Sequence, residues 1–156
     1  MTTTVEDLKD FLGRGGPLAL VEVAGTRGST PRETGAFMLV SPEGIHGTIG
    51  GGQLEYMAID KARQMLRRQE PIGAHETRAT LDIPLGPEIG QCCGGRVEVL
   101  IRPVDADLAA GLVAAAEADQ ARLPHLYIFG GGHVGKAMAA AAALLPVRAV
   151  VVETRG

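Results

Sequence analysis

The sequence predicts an α/β protein in two parts, an α+β region followed by the start of a parallel β–α–β unit. Before residue 105, runs in which apolar residues alternate as in strands are separated by stretches with helical spacing. After residue 124, an apolar run is followed by a glycine turn, a helical stretch and a second apolar run. We therefore expect an α+β domain over residues 1–105, a helical linker over 106–124 and a β–α–β unit over 125–156.

Composition and charge indicate a folded, soluble protein. The 156 residues are 46% apolar and carry a net charge of −3. No clustered basic run gives a reason to expect binding to nucleic acid or to an anionic membrane. The start, "MTTTVEDLKDFLGRGG", carries acids where a signal peptide has basic residues, and no apolar stretch reaches about 18 residues. We expect a cytoplasmic protein with reduced thiols.

The first predicted elements are a helix and a hairpin. In "TTVEDLKDFLGRGG", Thr3 and Glu6 have the spacing of a capping box, and glycines follow the apolar face. The runs "PLALVEVAG" and "AFMLV" alternate as strands. The "SPEG" turn after the second run places proline and glycine where a hairpin needs them.

A second helix and two further strands follow. The stretch "QLEYMAIDKARQMLRRQ" has apolar residues at helical spacing, and its basic end suits the helix dipole. The runs "AHETRATLDI" and "GRVEVLIRPV" predict strands joined by a loop. Residues 106–122 are alanine-rich and predict a third helix, which "LP" closes.

The most specific local motif is the GxGxxG arrangement of Gly130, Gly132 and Gly135, which follows the strand "LYIF" and opens a helix. Glycines let the backbone approach a pyrophosphate, and Glu153 at the end of the next strand can accept hydrogen bonds from ribose hydroxyls. The motif predicts a Rossmann-like unit that binds NAD(P) or another nucleotide, and His133 in the turn could contact the ligand or only cap the helix. In the alternative interpretation the glycines serve close helix–strand packing and nothing binds.

A polar segment between the first two strands is a candidate anion site. Within "GTRGSTPRETGAFM", the guanidinium groups of Arg27 and Arg32 match a phosphate group in shape and charge. The hydroxyls of Ser29 and Thr30 would complete the site. The alternative is a polar turn with solvated arginines.

The glycine loop before the second helix is a second candidate. In "TIGGGQLE", Gly50, Gly51 and Gly52 lead into a predicted helix, whose first N–H groups would point into the loop. Glu55 in the first turn already suits the helix dipole, however. A helix cap with tight packing is therefore the alternative to ligand binding.

The two cysteines of the chain, Cys92 and Cys93, are adjacent and lie in a glycine-flanked loop. Thiolates bind soft metals and are good nucleophiles, so the pair could contact a metal, a sulfur atom or a disulfide. A zinc site needs spaced ligands, and the histidines lack such spacing. Alternatively, at least one thiol is buried as a small apolar group. The histidines are His46, His75, His125 and His133.

Four motifs, taken in order, resemble the XdhC family of accessory factors for xanthine dehydrogenase and related molybdenum hydroxylases. They are "GSTPRETGAFMLV", "GTIGGGQLE", "GQCCGGRVEVLI" and "LYIFGGGHVGKAMA" followed by "VVETR", and they span about residues 25–155. The resemblance implies an XdhC-type α+β domain and a Rossmann-like domain, often assembled as a homodimer. Because a lone β–α–β unit leaves strand edges unpaired, we expect that domain to extend beyond residue 156.

The resemblance further implies a chaperone rather than an enzyme. Such a protein binds molybdenum cofactor (molybdopterin) and holds it while a cysteine desulfurase supplies the terminal sulfido ligand. It then helps to insert the cofactor into a xanthine dehydrogenase-like hydroxylase. Cys92 and Cys93 would lie next to the molybdenum, and the arginine and glycine loops would hold the phosphate.

Two other functions stay open from the residues alone. The GxGxxG motif with Glu153 is compatible with an NAD(P)-dependent oxidoreductase, which would also need a substrate base. The adjacent thiols are compatible with a thiol redox or metal-trafficking protein. Replacing both cysteines would separate the two, because a dehydrogenase should survive their loss.

Overall fold

The computed structural model describes residues 4–67, 78–87, 90 and 94–154. The chain divides into two compact units, Gly13–Leu108 and the segments Met1–Leu12 with Ala109–Gly156. Both units contain helices and strands, which confirms the predicted α/β class. The domain boundaries at residues 105 and 124 stay a prediction.

The first unit is built on a five-stranded sheet with the strand order β3-β2-β1-β5-β4. Every neighbouring pair is antiparallel. The four strands predicted from alternation are present, and β3 follows the predicted hairpin turn. The five strands are β1 (Ala19–Arg27), β2 (Phe37–Val40), β3 (Ile45–Gly47), β4 (Ala79–Pro84) and β5 (Arg96–Pro103).

Helix α2 (Gly52–Arg67) covers one face of this sheet. Its buried residues Leu54, Ala58 and Ala62 recur every four positions, and the two alanines let the helix lie close to the strands. Val21 and Val99 are among the strand residues that share this core with the helix, and both are fully buried. We call the opposite side of the sheet the outer face.

The turn between β2 and β3 has the predicted hairpin geometry. The Ser41 N–H donates to the Gly44 carbonyl oxygen over 2.9 Å. The Ser41 hydroxyl oxygen accepts from the Gly44 N–H at 2.8 Å and from the Glu43 N–H at 3.2 Å. Side chain and backbone therefore fix the same turn.

The first and third helices each begin at a side-chain cap. Helix α1 (Val5–Gly13) begins after Thr4, whose hydroxyl accepts from the Asp7 N–H at 3.1 Å while an Asp7 carboxylate oxygen accepts from the Thr4 N–H at 3.0 Å. This capping box lies one residue after the predicted pair, and Thr3 lies outside the described residues. Helix α3 (Ala106–Ala121) confirms the third helix, and its Leu108 N–H donates to the Asp105 carboxylate over 2.8 Å.

The end of the chain forms the predicted β–α–β unit. Strands β6 (His125–Phe129) and β7 (Arg148–Val152) are parallel, and α4 (His133–Ala142) connects them. Ile128 and Ala142 are buried in this unit. Several large apolar side chains are exposed, including Phe129 at 81% and Val134 at 74%.

Candidate functional site

Three loops meet at one end of the five-stranded sheet. The β1–β2 loop follows Arg27, the β3–α2 loop precedes Gly52, and the β4–β5 loop leads to Arg96. Arg27 pairs with Arg96, and Met38 pairs with Gly47, so the antiparallel registers bring these strand ends to the same edge. The predicted arginine, glycine and cysteine segments therefore leave the sheet together.

The β1–β2 loop passes between glycines of the other two loops. A Cβ atom on Gly95 would lie 2.1 Å from the Ser29 carbonyl oxygen, and a Cβ atom on Gly50 would lie 2.6 Å from the Pro31 side chain. These separations are far shorter than any van der Waals contact. Glycine is therefore required on both sides of the β1–β2 loop. Gly50 and Gly95 pack tightly against this loop from the other two loops.

Internal hydrogen bonds fix the shape of the β1–β2 loop. The Gly35 N–H donates to the Val23 carbonyl oxygen over 2.9 Å, and the Thr30 hydroxyl donates to the Arg32 carbonyl oxygen over 3.1 Å. Ser29 and Arg32 are exposed, and Thr30 is half-buried. The loop thus presents hydroxyl and guanidinium groups to solvent from a constrained backbone. Arg32 also lines an open cavity of about 420 Å³ with Glu33, Thr34 and Ala36.

The cysteine loop is closed at its base. The Gly94 N–H donates to the Leu85 carbonyl oxygen over 2.8 Å, and the Leu85 N–H donates to the Gly95 carbonyl oxygen over 2.8 Å. Cys92 and Cys93 lie outside the described residues, so their predicted role stays a prediction. The chain reaches Gly94 directly from Cys93, and Gly95 abuts Ser29.

The β3–α2 loop binds a carboxylate of its own chain. The same Glu55 oxygen accepts from the Thr48 hydroxyl at 2.6 Å and from the N–H groups of Ile49 and Gly51, each at 3.1 Å. The Gly50 N–H donates to the Thr48 hydroxyl oxygen over 3.1 Å. The geometry favours the helix-cap interpretation here, because these N–H groups already have partners within the protein. An external anion at Gly50, Gly51 and Gly52 stays a prediction.

A β-bulge turns Arg27 onto the outer face. Val23 pairs with Val99 and Gly25 with Glu98, so Ala24 is the extra residue in β1. Side chains alternate along a strand, and without the bulge Arg27 would point toward α2. With the bulge, it lies opposite Arg96 on the outer face.

Four charged residues on the outer face form what we call the charge quartet: Arg27, Asp82, Arg96 and Glu98. Arg27 lies directly opposite Arg96, and Asp82 directly opposite Glu98. The Arg96 guanidinium donates a short hydrogen bond to the Asp82 carboxylate. That bond lowers the pKa of Asp82 below its usual 3.8, with smaller contributions from the positive charges of Arg96 and Arg27.

The charge quartet lines a cavity of about 230 Å³ together with Gly25 and Thr26. Sequence reasoning identified Arg27 but missed Asp82, Arg96 and Glu98. Alternation in "RVEV" places Arg96 and Glu98 on one face and could have suggested them. Nothing in the sequence indicates the bulge that brings Arg27 to the same face.

In the β–α–β unit, the glycine turn binds the carboxylate of Glu153, the residue that follows β7. The Gly131 N–H donates to the Glu153 carboxylate over 2.7 Å, and the Gly130 N–H donates to the Val152 carbonyl oxygen over 2.8 Å. A Cβ atom on Gly135 would lie 1.8 Å from the Gly130 carbonyl oxygen, so Gly135 allows close packing of α4 on the turn.

The other predicted residues of this turn lie at the start of α4. Gly132 is its N-cap residue, so no side chain caps the helix, and His133 is the first helical residue. Both are exposed. Their predicted contact with a nucleotide, together with that of Gly130, Gly135 and Glu153, stays a prediction.

Metal-binding clusters and membrane-spanning helices are both absent from the described residues. No group of three or more His, Cys, Asp and Glu side chains there could hold a metal ion. No helix within the same residues is long and apolar enough to cross a membrane.

Fold and site together define a two-part α/β protein with a loop-built polar site at one end of an antiparallel sheet. The XdhC and CoxI family model matches residues 11–77, which confirms the resemblance to that family. This segment, which contains β1, β2, β3 and α2, is similar to the XdhC and CoxI family. It contains the arginine and glycine loops.

Two similar proteins extend the comparison beyond that segment. The uncharacterized protein YqeB of Escherichia coli strain K12 is 35% identical over 130 residues, which are 83% of this chain and 20% of YqeB. A crystal structure described as a xanthine dehydrogenase from Bacillus halodurans has a TM-score of 0.77 at 19% identity. The match covers 97% of this chain and 62% of the solved chain. The chain thus spans about one fifth of YqeB and under two thirds of the solved chain.

Proposed function

We propose that this chain is part of a xanthine dehydrogenase accessory protein. In this proposal it binds molybdenum cofactor, keeps it accessible while a cysteine desulfurase supplies the terminal sulfido ligand, and passes it to a xanthine dehydrogenase-like molybdenum hydroxylase. The family match and the name of the solved structure support the link to xanthine dehydrogenase. We expect it to act as a homo-oligomer without turnover of its own.

One observation carries the proposal: the β1–β2 loop lies against Gly95, two residues after Cys93. The loop that carries Ser29 and Arg32 therefore lies against a residue that is close to the two thiols in the sequence. A cofactor with a phosphate at one end and a sulfur-ligated molybdenum at the other needs these two kinds of group close together.

The described residues suit the phosphate end of such a ligand. Arg32 offers a planar fork of donors, and the Ser29 hydroxyl is exposed on the same loop. The close contacts at Gly50 and Gly95 hold the loop backbone, so less conformational entropy is lost on binding. Cys92 and Cys93 would supply soft sulfur ligands for the metal end.

The proposal is tested by mixing the purified protein with isolated molybdenum cofactor under anaerobic conditions and separating bound from free cofactor by gel filtration. Molybdenum and pterin are then measured in the protein fraction. We expect about one cofactor per binding site in the parent. Retention should be about tenfold weaker in Cys92→Ala or Cys93→Ala, because the loss of one good ligand or charge-assisted bond has about this effect on affinity. Arg32→Gln should lower retention as well.

Arg67→Gln is the matched control for Arg32→Gln. Arg67 is also exposed, but it ends α2, and a helix of 16 residues is about 24 Å long, so it lies far from the loops at the helix start. It should retain cofactor like the parent. Absence of retention by folded parent protein, or equal retention by all variants, would overturn the proposal.

A second candidate is nucleotide binding by the β–α–β unit, which would favour an NAD(P)-dependent oxidoreductase. The observation behind it is the position of Glu153, whose carboxylate lies at the glycine turn at the end of β7. Titration of the protein with NAD⁺ followed by calorimetry tests this candidate. Saturable binding that Glu153→Ala weakens would support it, and absence of heat with folded protein would exclude it.

A further inference from the structure

The charge quartet has a pairing pattern that is unfavourable for the sheet alone. Two of its cross-strand pairs, Arg27 with Arg96 and Asp82 with Glu98, have like charges directly opposite each other. Such pairs destabilise a sheet, whereas opposite charges at the same positions would stabilise it. The quartet therefore costs stability that a purely structural surface could avoid.

One diagonal contact relieves part of this repulsion. The Arg96 guanidinium donates to the Asp82 carboxylate, so each of these two groups has a partner of opposite charge. The other two members, Arg27 and Glu98, make no hydrogen bond or ion pair with the part of the chain that the structure describes. A donor fork and an acceptor carboxylate thus stay available on the wall of the 230 Å³ cavity.

The Glu98 carboxylate extends over β1 at Gly25. A Cβ atom on Gly25 would lie 3.3 Å from a Glu98 carboxylate oxygen, so the absence of a side chain at Gly25 leaves room for this carboxylate. The cavity is partly open, and a flat ligand can lie in it between the Glu98 carboxylate and Arg27.

We propose that this cavity binds the aminopyrimidinone edge of a pterin, an inference that rests on the proposed function and identifies where the organic part of the cofactor lies. That edge carries an amino group and a ring N–H side by side, next to a carbonyl oxygen. The Glu98 carboxylate accepts from the two N–H groups, and Arg27 donates to the carbonyl oxygen. Asp82 and Arg96 are bonded to each other and also line the cavity.

The edge is shared by pterins and guanine, so the probes are pterin itself and guanosine. Each is titrated into the full chain, and binding is followed by pterin fluorescence or by calorimetry. Glu98→Gln, which replaces one acceptor oxygen with a donor, should weaken pterin binding at least about tenfold. Arg27→Gln tests the other side of the ligand and should weaken it about fivefold or more.

Glu22→Gln is the control, because Glu22 is a carboxylate of β1 that lies near Arg102, at 3.6 Å, and does not line the cavity. It should bind pterin like the parent. Unchanged pterin affinity in both Glu98→Gln and Arg27→Gln, or no saturable binding by the parent, would overturn the inference. Tighter binding of guanosine than of pterin would assign the cavity to a guanine ligand and overturn the pterin assignment.

The outcome is distinguishable from failure of the proposed function. Pterin carries no metal and needs no thiol, so Cys93→Ala should bind it like the parent. Pterin binding that depends on Glu98, without retention of the whole cofactor, would support this inference and overturn the chaperone proposal. Whole-cofactor retention that Glu98→Gln leaves unchanged would do the reverse.

Discussion

Arg27 and Arg96 lie directly opposite each other on adjacent strands of the sheet, on the face that α2 does not cover. Their opposition depends on the bulge at Ala24, which shifts the alternation of β1 by one residue. The Asp82 carboxylate bonds to Arg96 and does not bond to Arg27. The sheet therefore presents one guanidinium that is hydrogen-bonded to the Asp82 carboxylate and one that interacts with it through charge alone.

The first prediction concerns the stability cost of that arrangement. Arg27→Gln removes one of two facing positive charges, so we expect a thermal midpoint equal to or slightly above that of the parent. The measurement is thermal unfolding followed by circular dichroism at low ionic strength, where charge repulsion is least screened. The difference should shrink at high salt concentration. A clear fall in the midpoint would show that Arg27 makes a stabilising contact.

The second prediction concerns pH. Because the bond to Arg96 lowers the pKa of Asp82 in the folded state, the pair contributes stability that is fully present above the unfolded-state value, about pH 4. That contribution is lost as the pH falls through the folded-state pKa, which lies below 3.8. The pair is exposed, so the effect is modest.

Asp82→Asn tests this assignment. Urea unfolding midpoints of parent and variant are compared from about pH 6 down to about pH 3, across the range in which the carboxyl group titrates. We expect the parent to be the more stable at the upper end and the two proteins to converge in the acidic range, because a protonated carboxyl group and the amide that replaces it are both neutral. A constant difference across this range would contradict the role of the carboxylate charge.

The sequence predicted the elements of this fold better than their details. Hydrophobic alternation located β1, β2, β4 and β5, and the glycine motif located the turn between β6 and α4. These signals are local and repeat over several residues, so one residue that departs from the pattern does not remove the prediction. The capping box was predicted one residue too early, because Thr3 and Thr4 each have an acid three positions later.

The candidate site was harder to predict because it depends on contacts between distant segments. The requirement for glycine at position 95 comes from the carbonyl oxygen of Ser29, which is far away in the sequence. The charge quartet depends on register, and a single bulged residue changes which side chains share a face. The loops were each identified from the sequence, but their convergence is a property of the antiparallel topology.

The third prediction tests the close approach of the β1–β2 and β4–β5 loops. Gly95→Ala places a methyl group 2.1 Å from the Ser29 carbonyl oxygen, so the backbone must shift. We expect a loss of about 1–3 kcal/mol in the free energy of unfolding, the usual cost of overpacking. Gly86→Ala is the matched control in the same β4–β5 connection, because no atom lies within 4 Å of its added Cβ.

The measurement is urea unfolding of both glycine variants beside the parent. Gly86→Ala should lie within about 0.5 kcal/mol of the parent, as surface substitutions usually do. Cofactor retention should fall in Gly95→Ala and stay unchanged in Gly86→Ala if loop convergence builds the site. Equal stability of the two variants would mean that the loops separate easily.

The fourth prediction concerns Glu55, whose single carboxylate oxygen accepts three hydrogen bonds at the start of α2. Glu55→Ala leaves the N–H groups of Ile49 and Gly51 without that acceptor, and Ile49 is fully buried. We expect a loss of about 1–3 kcal/mol in the free energy of unfolding, the cost of an unsatisfied buried donor. Glu43→Ala, at the hairpin turn, is the control and should cost little.

The same variant discriminates between the two interpretations of the glycine loop. If the loop serves as a helix cap, inorganic phosphate should restore little stability to Glu55→Ala. If the loop also binds anions, phosphate should bind the variant more tightly than the parent, because the Glu55 carboxylate no longer occupies the N–H groups of Ile49 and Gly51. We expect the first result, since the chain itself supplies the anion that this helix end requires. Thermal unfolding of parent and variant with increasing phosphate, at constant ionic strength, measures the difference.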